Sequence, residues 1–258
     1  MVKKFIELTD SQWDEVKVFL GIERKRKTCL RSVVNAILWL LRTGAQWRNL
    51  DSKFPNWNLC YYYFAKWNSN GSLQRINDWL NELERMHWDK EASPGVMIVD
   101  SQSVKLAPFI AEERGIDGNK KVNGRRRQVM VDTLGLVHAA FVHAANGSDT
   151  INGCQLLEQV ENKYPNLKKI LVDGTYKGTF IEEAKRLLKV EVEVASKPES
   201  TKGFVPVKKR WVVERTLGWF NFFRRLAKDY EQKTENSVAW IFWANSFLIL
   251  NRMEYWAE

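Results

Sequence analysis

At 258 residues, 45% of them hydrophobic, the chain is long enough to fold as one large or two modest packed domains, which excludes disorder of the whole. Forty Lys and Arg against 31 Asp and Glu leave a formal net charge of +9, which favours a polyanionic partner, nucleic acid foremost, without constraining the fold. Cys29, Cys60 and Cys154 lack the close Cys or His spacing of structural zinc and read as buried free thiols in a reducing, cytoplasmic setting. No basic-then-apolar leader opens the chain. Its most apolar run, residues 238–250, is too short to span a bilayer, so no membrane partner is expected.

The first ninety residues read as helices. Thr9 with Gln12 three positions on forms a capping box ahead of apolar Trp13, Val16, Phe19 and Leu20. Thr28 is placed to cap a second helix whose Leu30, Val33, Val34, Ile37, Leu38 and Leu41 share a stripe, and Gly44 to end it. After the break at Phe54-Pro55, the aromatic run Tyr61-Tyr62-Tyr63-Phe64 with Trp67 predicts a third helix, and Ser72 is placed to cap a fourth. Beside the basic run Glu23-Arg24-Lys25-Arg26-Lys27, these helices suit an all-α DNA-binding domain over residues 1–90, or else a plain bundle with a solvated charged face. Residues 87–95, with Ser93, Pro94 and Gly95, read as a linker.

The pattern then changes. Residues 96–99 form a short buried strand; 128–132 and 136–143 pair as a hairpin around Thr133-Leu134-Gly135; 153–164 is helical and 167–172 a strand. A helix at 179–188, a strand at 190–195 and a basic loop at 196–209 lead to a helix carrying Glu214. A last helix covers 236–251, apolar almost all round and hence buried. This order predicts an α/β fold for residues 91–258, a mixed sheet with flanking helices.

Asp100 and Asp173 each follow an apolar strand, the position where open α/β sheets carry their sites. Glu214 rides a helix on which Arg210, Asn221 and Arg225 lie close to one face. Carboxylates from three distant segments suit divalent ions, whose hard oxygen preference leaves room for substrate phosphate in the coordination shell. Taken singly, each has a plainer reading: the aspartates as turn or cap residues, Glu214 as half of a surface pair with Arg210. The glycine-flanked segment Gly118-Asn119-Lys120-Lys121-Val122-Asn123-Gly124-Arg125-Arg126-Arg127 reads as a cationic loop lying along a DNA backbone. His138 and His143, five apart on one strand, point to opposite faces and read as structural. The absence of a GxSxG elbow, a phosphate-binding P-loop and HExxH removes the common hydrolase, nucleotide-binding and zinc-protease readings.

Several segments together resemble a known family. They are Ile98-Val99-Asp100-Ser101-Gln102-Ser103-Val104-Lys105, the stretch from Gly118 through Asp132-Thr133-Leu134-Gly135, Ala145-Asn146 with Asp149, and Val172-Asp173-Gly174. Trp211-Val212-Val213-Glu214-Arg215-Thr216 follows, with Arg224-Arg225-Leu226 and Lys228-Asp229-Tyr230-Glu231; nearer the start stands Arg42-Thr43-Gly44-Ala45-Gln46-Trp47-Arg48-Asn49-Leu50. In order and nearly throughout, the chain is similar to bacterial insertion-sequence transposases of the DDE type, the group of insertion sequence five. The resemblance implies a ribonuclease H-like core with Asp100, Asp173 and Glu214 as catalytic residues and ligands of two Mg²⁺ ions, Mn²⁺ substituting. It implies cutting and transfer of double-stranded DNA, the element's terminal inverted repeats and its target, by a homodimer. DNA contacts are expected at Lys105, Lys120, Lys121, Arg125, Arg126, Arg127, Arg210, Arg215, Arg224 and Arg225. The family often carries tyrosine, two residues, arginine, three residues, glutamate, six residues, lysine. Arg210 and Glu214 match, while Val207 and Asn221 stand at the tyrosine and lysine positions, so that Arg225 or Arg224 is expected to replace the lysine. A metal-dependent nuclease without strand transfer and a DNA-binding regulator derived from a transposase are the rival readings.

Overall fold

The computed structural model describes residues 5–21, 27–194 and 210–256; the basic run at 23–27 except Lys27, and the expected basic loop at 196–209 with Val207, lie outside the described residues. Helix α1 (Asp10–Lys17) starts with the expected capping box, the Thr9 hydroxyl accepting from the Gln12 N–H and the Gln12 side chain accepting from the Thr9 N–H. Helix α2 (Leu30–Thr43) ends at Gly44, whose φ of +69° is the left-handed conformation that glycine adopts freely. The predicted starts of two helices shift by one residue. Cys29 rather than Thr28 stands at the cap of α2, and Gly71 rather than Ser72 precedes α4 (Ser72–His87), with α3 (Trp57–Ser69) between them. Cys29 is also exposed, against the expectation of a buried thiol, because it precedes the apolar stripe that begins at Leu30.

The sheet is built around β1 (Val96–Lys105). On one side it pairs antiparallel with β3 (Val122–Asp132), from Met97 opposite Asp132 to Lys105 opposite Gly124. The outer edge of β3 carries β2 (Gly115–Asp117) and then β4 (Val137–Ala144), the predicted hairpin partner. On its other side β1 pairs parallel with β5 (Lys169–Val172), which pairs parallel with β6 (Glu191–Val194). An antiparallel meander continued by two parallel strands is a ribonuclease H-like sheet, as the resemblance implied. β1 runs well past the predicted 96–99, since Asp100, Gln102 and Lys105 break the apolar run while backbone pairing with β3 continues. At Gly124 a Cβ would lie 1.9 Å from the Val104 carbonyl oxygen, so this close register demands glycine.

One face of the sheet, with Met97, Val99, Met130, Ile170 and Val172, packs on α5 (Asp149–Val160) and α6 (Thr179–Leu188). The other face, with Ile98, Val129 and Val131, joins α7 (Trp211–Phe220) and α9 (Thr234–Met253) in a core shared with α1 to α4. The first ninety residues therefore build no separate core. Their apolar stripes are completed by α9, where Trp240 packs against Phe64 with ring centres 4.6 Å apart and Trp243 meets Trp67 at 6.2 Å. The join is also polar. The buried Asn245 amide oxygen accepts the Val137 N–H at 3.0 Å, and its NH₂ donates to Asn77 and Asn81, both of which donate to the Val137 carbonyl at 2.8 Å. Asn245→Ala strands that backbone N–H and two amide oxygens away from water, which costs on the order of 3 kcal/mol. Denaturant unfolding should show a midpoint lowered for helix and sheet signals together; a helical signal that outlasts the sheet would show that the N-terminal helices stand alone.

Candidate active site

Asp100, Asp173 and Glu214 come together. Asp100 projects from the middle of β1 rather than from its end, and Asp173 follows β5 directly. The parallel register sets Ile98 beside Leu171, and continued by two residues it sets Asp100 beside Asp173. Glu214 lies in the first turn of α7, which packs on the Asp100 face of β1. The helix is seated by the β3–β4 turn: the Thr216 hydroxyl donates to the Gly135 carbonyl at 2.8 Å and Arg215 to the Leu134 carbonyl at 2.7 Å. Asp173 is fixed by its own loop, its Oδ1 accepting from the Thr175 N–H at 2.8 Å and from the Thr175 hydroxyl.

One cation stands among the three. A single terminal nitrogen of Arg210 lies 3.5 Å from Asp173, 3.8 Å from Glu214 and 3.9 Å from Asp100. Sequence spacing points to the Arg210–Glu214 contact alone, since only that pair is local, at i and i+4. The fold brings the aspartates to it. Burial pushes the Asp100 carboxyl up to about 6, with Asp173 and Glu214 adding to the rise and Arg210 opposing it. Among the described residues no trio of His, Cys, Asp and Glu is drawn tightly enough to chelate an ion as it stands. The donor set nevertheless fits a divalent cation, because three hard oxygen donors already face one positive centre.

The basic residues divide sharply. Lys105, Lys120, Lys121 and Arg224 are exposed. Arg125 and Arg127 are 0% and 1% exposed, which overturns the expected phosphate contacts, since 122–132 is a strand sandwiched between two cores and not a loop. Strand alternation turns both toward the α9 side. Arg125 donates to the carbonyls of Glu112, Glu231 and Gln232 and pairs with Asp229 at 3.4 Å, while Arg127 donates to the Leu226 carbonyl. Arg126, on the other face, is engaged by Asp117 and Asp149. Arg215 lies between the Trp211 and Trp219 rings at 4.8 and 4.5 Å. The expected replacement of the family lysine by Arg225 also fails. Helix α7 ends with Asn221 at its C-cap, and Arg225 belongs to a separate turn, α8 (Arg224–Ala227), buried against Glu231 and the Ala45 carbonyl. Both histidines are buried and hydrogen-bonded as expected, His138 to Tyr164 and His143 to Gln128 and the Ala144 carbonyl.

Residues 91–251 match the family described as Transposase DDE domain, and residues 8–77 match the one described as Putative transposase of IS4/5 family. The chain belongs to the DDE transposases. A Sinorhizobium fredii protein described as Uncharacterized protein y4sN is 25% identical over 117 residues, 44% of this chain and 87% of that one. Membership makes the transposase a DNA-binding protein of a class that generally works with divalent ions. Among its described residues no helix is long and apolar enough to cross a membrane.

The raised Asp100 value sets a pH test. The folded state holds this proton more tightly than the unfolded chain, whose value is near the usual 3.8, so ionised Asp100 costs stability, fully above about pH 6. The cost fades as the pH falls from 6 toward 4. Asp100→Asn should therefore stabilise the metal-free transposase at pH 8, by on the order of 2 kcal/mol, and barely at pH 4. Thermal unfolding at the two values measures this; an equal effect at both would refute the assignment.

Proposed function

We propose that this transposase, of the insertion sequence five group, cuts the ends of its element and joins the resulting 3′-hydroxyls to target DNA, with Asp100, Asp173 and Glu214 carrying the chemistry. The observation that supports the reading is the gathering of three carboxylates around one cation. Two Mg²⁺ ions, or Mn²⁺, would polarise the attacking oxygen and neutralise the leaving one in an in-line displacement. The carboxylates hold the ions; Arg210, released from them, grips a phosphate of the DNA. Lys105, Lys120, Lys121 and Arg224 supply sequence-independent affinity. The helical region before residue 90 reads the element's terminal repeats as one face of a single body, in a homodimer on DNA and in the cytoplasm.

The test uses DNA carrying the sequence that flanks this reading frame. Cutting should require Mg²⁺ or Mn²⁺, and Asp100→Asn, Asp173→Asn and Glu214→Gln should each slow it roughly a thousandfold, about 4 kcal/mol, while DNA is still bound. Cutting by the triple variant would refute the assignment. Cut ends that never join a target plasmid would point to a nuclease, and binding without cutting to a regulator.

Arg210 gives a separate prediction. With the competing guanidinium removed, Arg210→Ala should bind Mn²⁺ more tightly than the unaltered protein in the absence of DNA, although its DNA affinity falls. Titration followed by electron paramagnetic resonance decides it; weaker Mn²⁺ binding would show that Arg210 is needed to assemble the carboxylates.

A further inference from the structure

A cleft of about 720 Å³ opens between the turn after α2, the start of α3 and the segment joining α8 to α9, within the size range of small-ligand sites. Its walls are Trp47, Arg48, Trp57, Tyr61, Phe109 and Tyr230. Phe109 is 72% and Tyr230 42% exposed, a large apolar area left to water beside a buried ion pair, Arg225 with Glu231. Other rings are held from behind, Trp47 packing on Tyr61 at 5.2 Å, Phe64 at 5.4 Å and Trp240 at 5.8 Å. Cations lie against the rim: the Arg48 guanidinium over Trp57 at 5.7 Å and the Lys228 ammonium over Tyr230 at 5.6 Å.

Open aromatic faces with cations lying against them match one chemistry closely, a nucleotide whose base is unpaired, with the ring stacked and the phosphate beside a positive charge. The cleft is also tied to the carboxylates. Strand β1 runs from Asp100 to Lys105, whose carbonyl accepts the Asp229 N–H at 2.9 Å, one residue before Tyr230. Five residues of strand cover about 17 Å, the length of about five nucleotide steps in duplex DNA. We propose that the cleft takes an unstacked base of the DNA strand held by the transposase, about half a helical turn from the point of cutting, with Phe109 and Tyr230 as stacking faces and Arg48 and Lys228 on the adjoining phosphates. The proposal rests on DNA being the partner; only the stated distance from the point of cutting depends on the role of the carboxylates.

The test follows fluorescence anisotropy of the full chain with a labelled oligothymidylate and with a mixed-sequence duplex of equal length, without metal. Phe109→Ala and Tyr230→Ala should each weaken single-strand binding about tenfold and change duplex binding less than twofold, and Phe109→Trp should restore it. Unchanged single-strand affinity in both alanine variants would overturn the proposal, and so would equal losses on the two DNAs, which would mark a general effect on charge or folding. Sedimentation provides the remaining arm. An unaltered dimer that the alanine variants split, with both DNA affinities intact, would assign the cleft to a second copy of the chain and overturn the proposal. If the unaltered chain binds neither DNA, the DNA reading falls and takes the cleft with it, whereas failure of the alanine variants alone sinks only the cleft.

Discussion

Three carboxylates drawn onto one patch repel one another and lose water, and the fold around them opposes both effects. The parallel pairing of β1 with β5 fixes the two aspartates side by side, and the β3–β4 turn grips α7 so that Glu214 faces them. Gly135 is part of that grip. Its φ of +86° suits the turn, and a Cβ there would come within 2.6 Å of the Thr216 hydroxyl. Burial and the two neighbouring carboxylates raise the Asp100 proton affinity, and Arg210 opposes the rise only in part, from distances beyond a close hydrogen bond. A site with this imbalance favours any compact cation able to approach more closely than a guanidinium.

The basic character of the chain has two separate uses. Arg125, Arg127 and Arg225 serve the interior: the first two fasten α8 and the segment after it to the sheet, and Arg225 ties that segment to the turn after α2. Arg126 does the same on the opposite face through Asp117 and Asp149. Such pairs are costly to break, because loss of one member leaves a buried charge alone. Hence the formal +9 overstates the charge that DNA can meet near the sheet, where Lys105, Lys120, Lys121 and Arg224 are the exposed cations among those the sequence singled out.

Local signals in the sequence were good guides where the physics is local. The Thr9 capping box, the glycine stop of α2, the hairpin at Thr133-Leu134-Gly135 and helix α6 follow from residues a few positions apart. The reading of Asp100, Asp173 and Glu214 as neighbours also came from sequence, by way of strand ends and the family resemblance. What escaped depends on distant partners. β1 extends through polar residues because β3 supplies its hydrogen bonds, and glycine-flanked arginines look like a loop until Asp229, Asp117 and Asp149 are seen to meet them. Arg225 looked continuous with Glu214 on one helix, but the chain breaks at Asn221. The expected boundary near residue 90 is where the composition changes, yet the packing runs straight through it.

That shared core has a consequence for how the protein is made. Synthesis proceeds from the N-terminus, so α1 to α4 emerge first, and the helix that covers their apolar stripes, α9, is the last of these elements to appear. Until then Ile37, Phe64 and Trp67 lack the surface that buries them, and Val137 lacks the Asn245 amide that accepts its N–H. The core on which α7 and its Glu214 are seated is therefore complete only once α9 has been made.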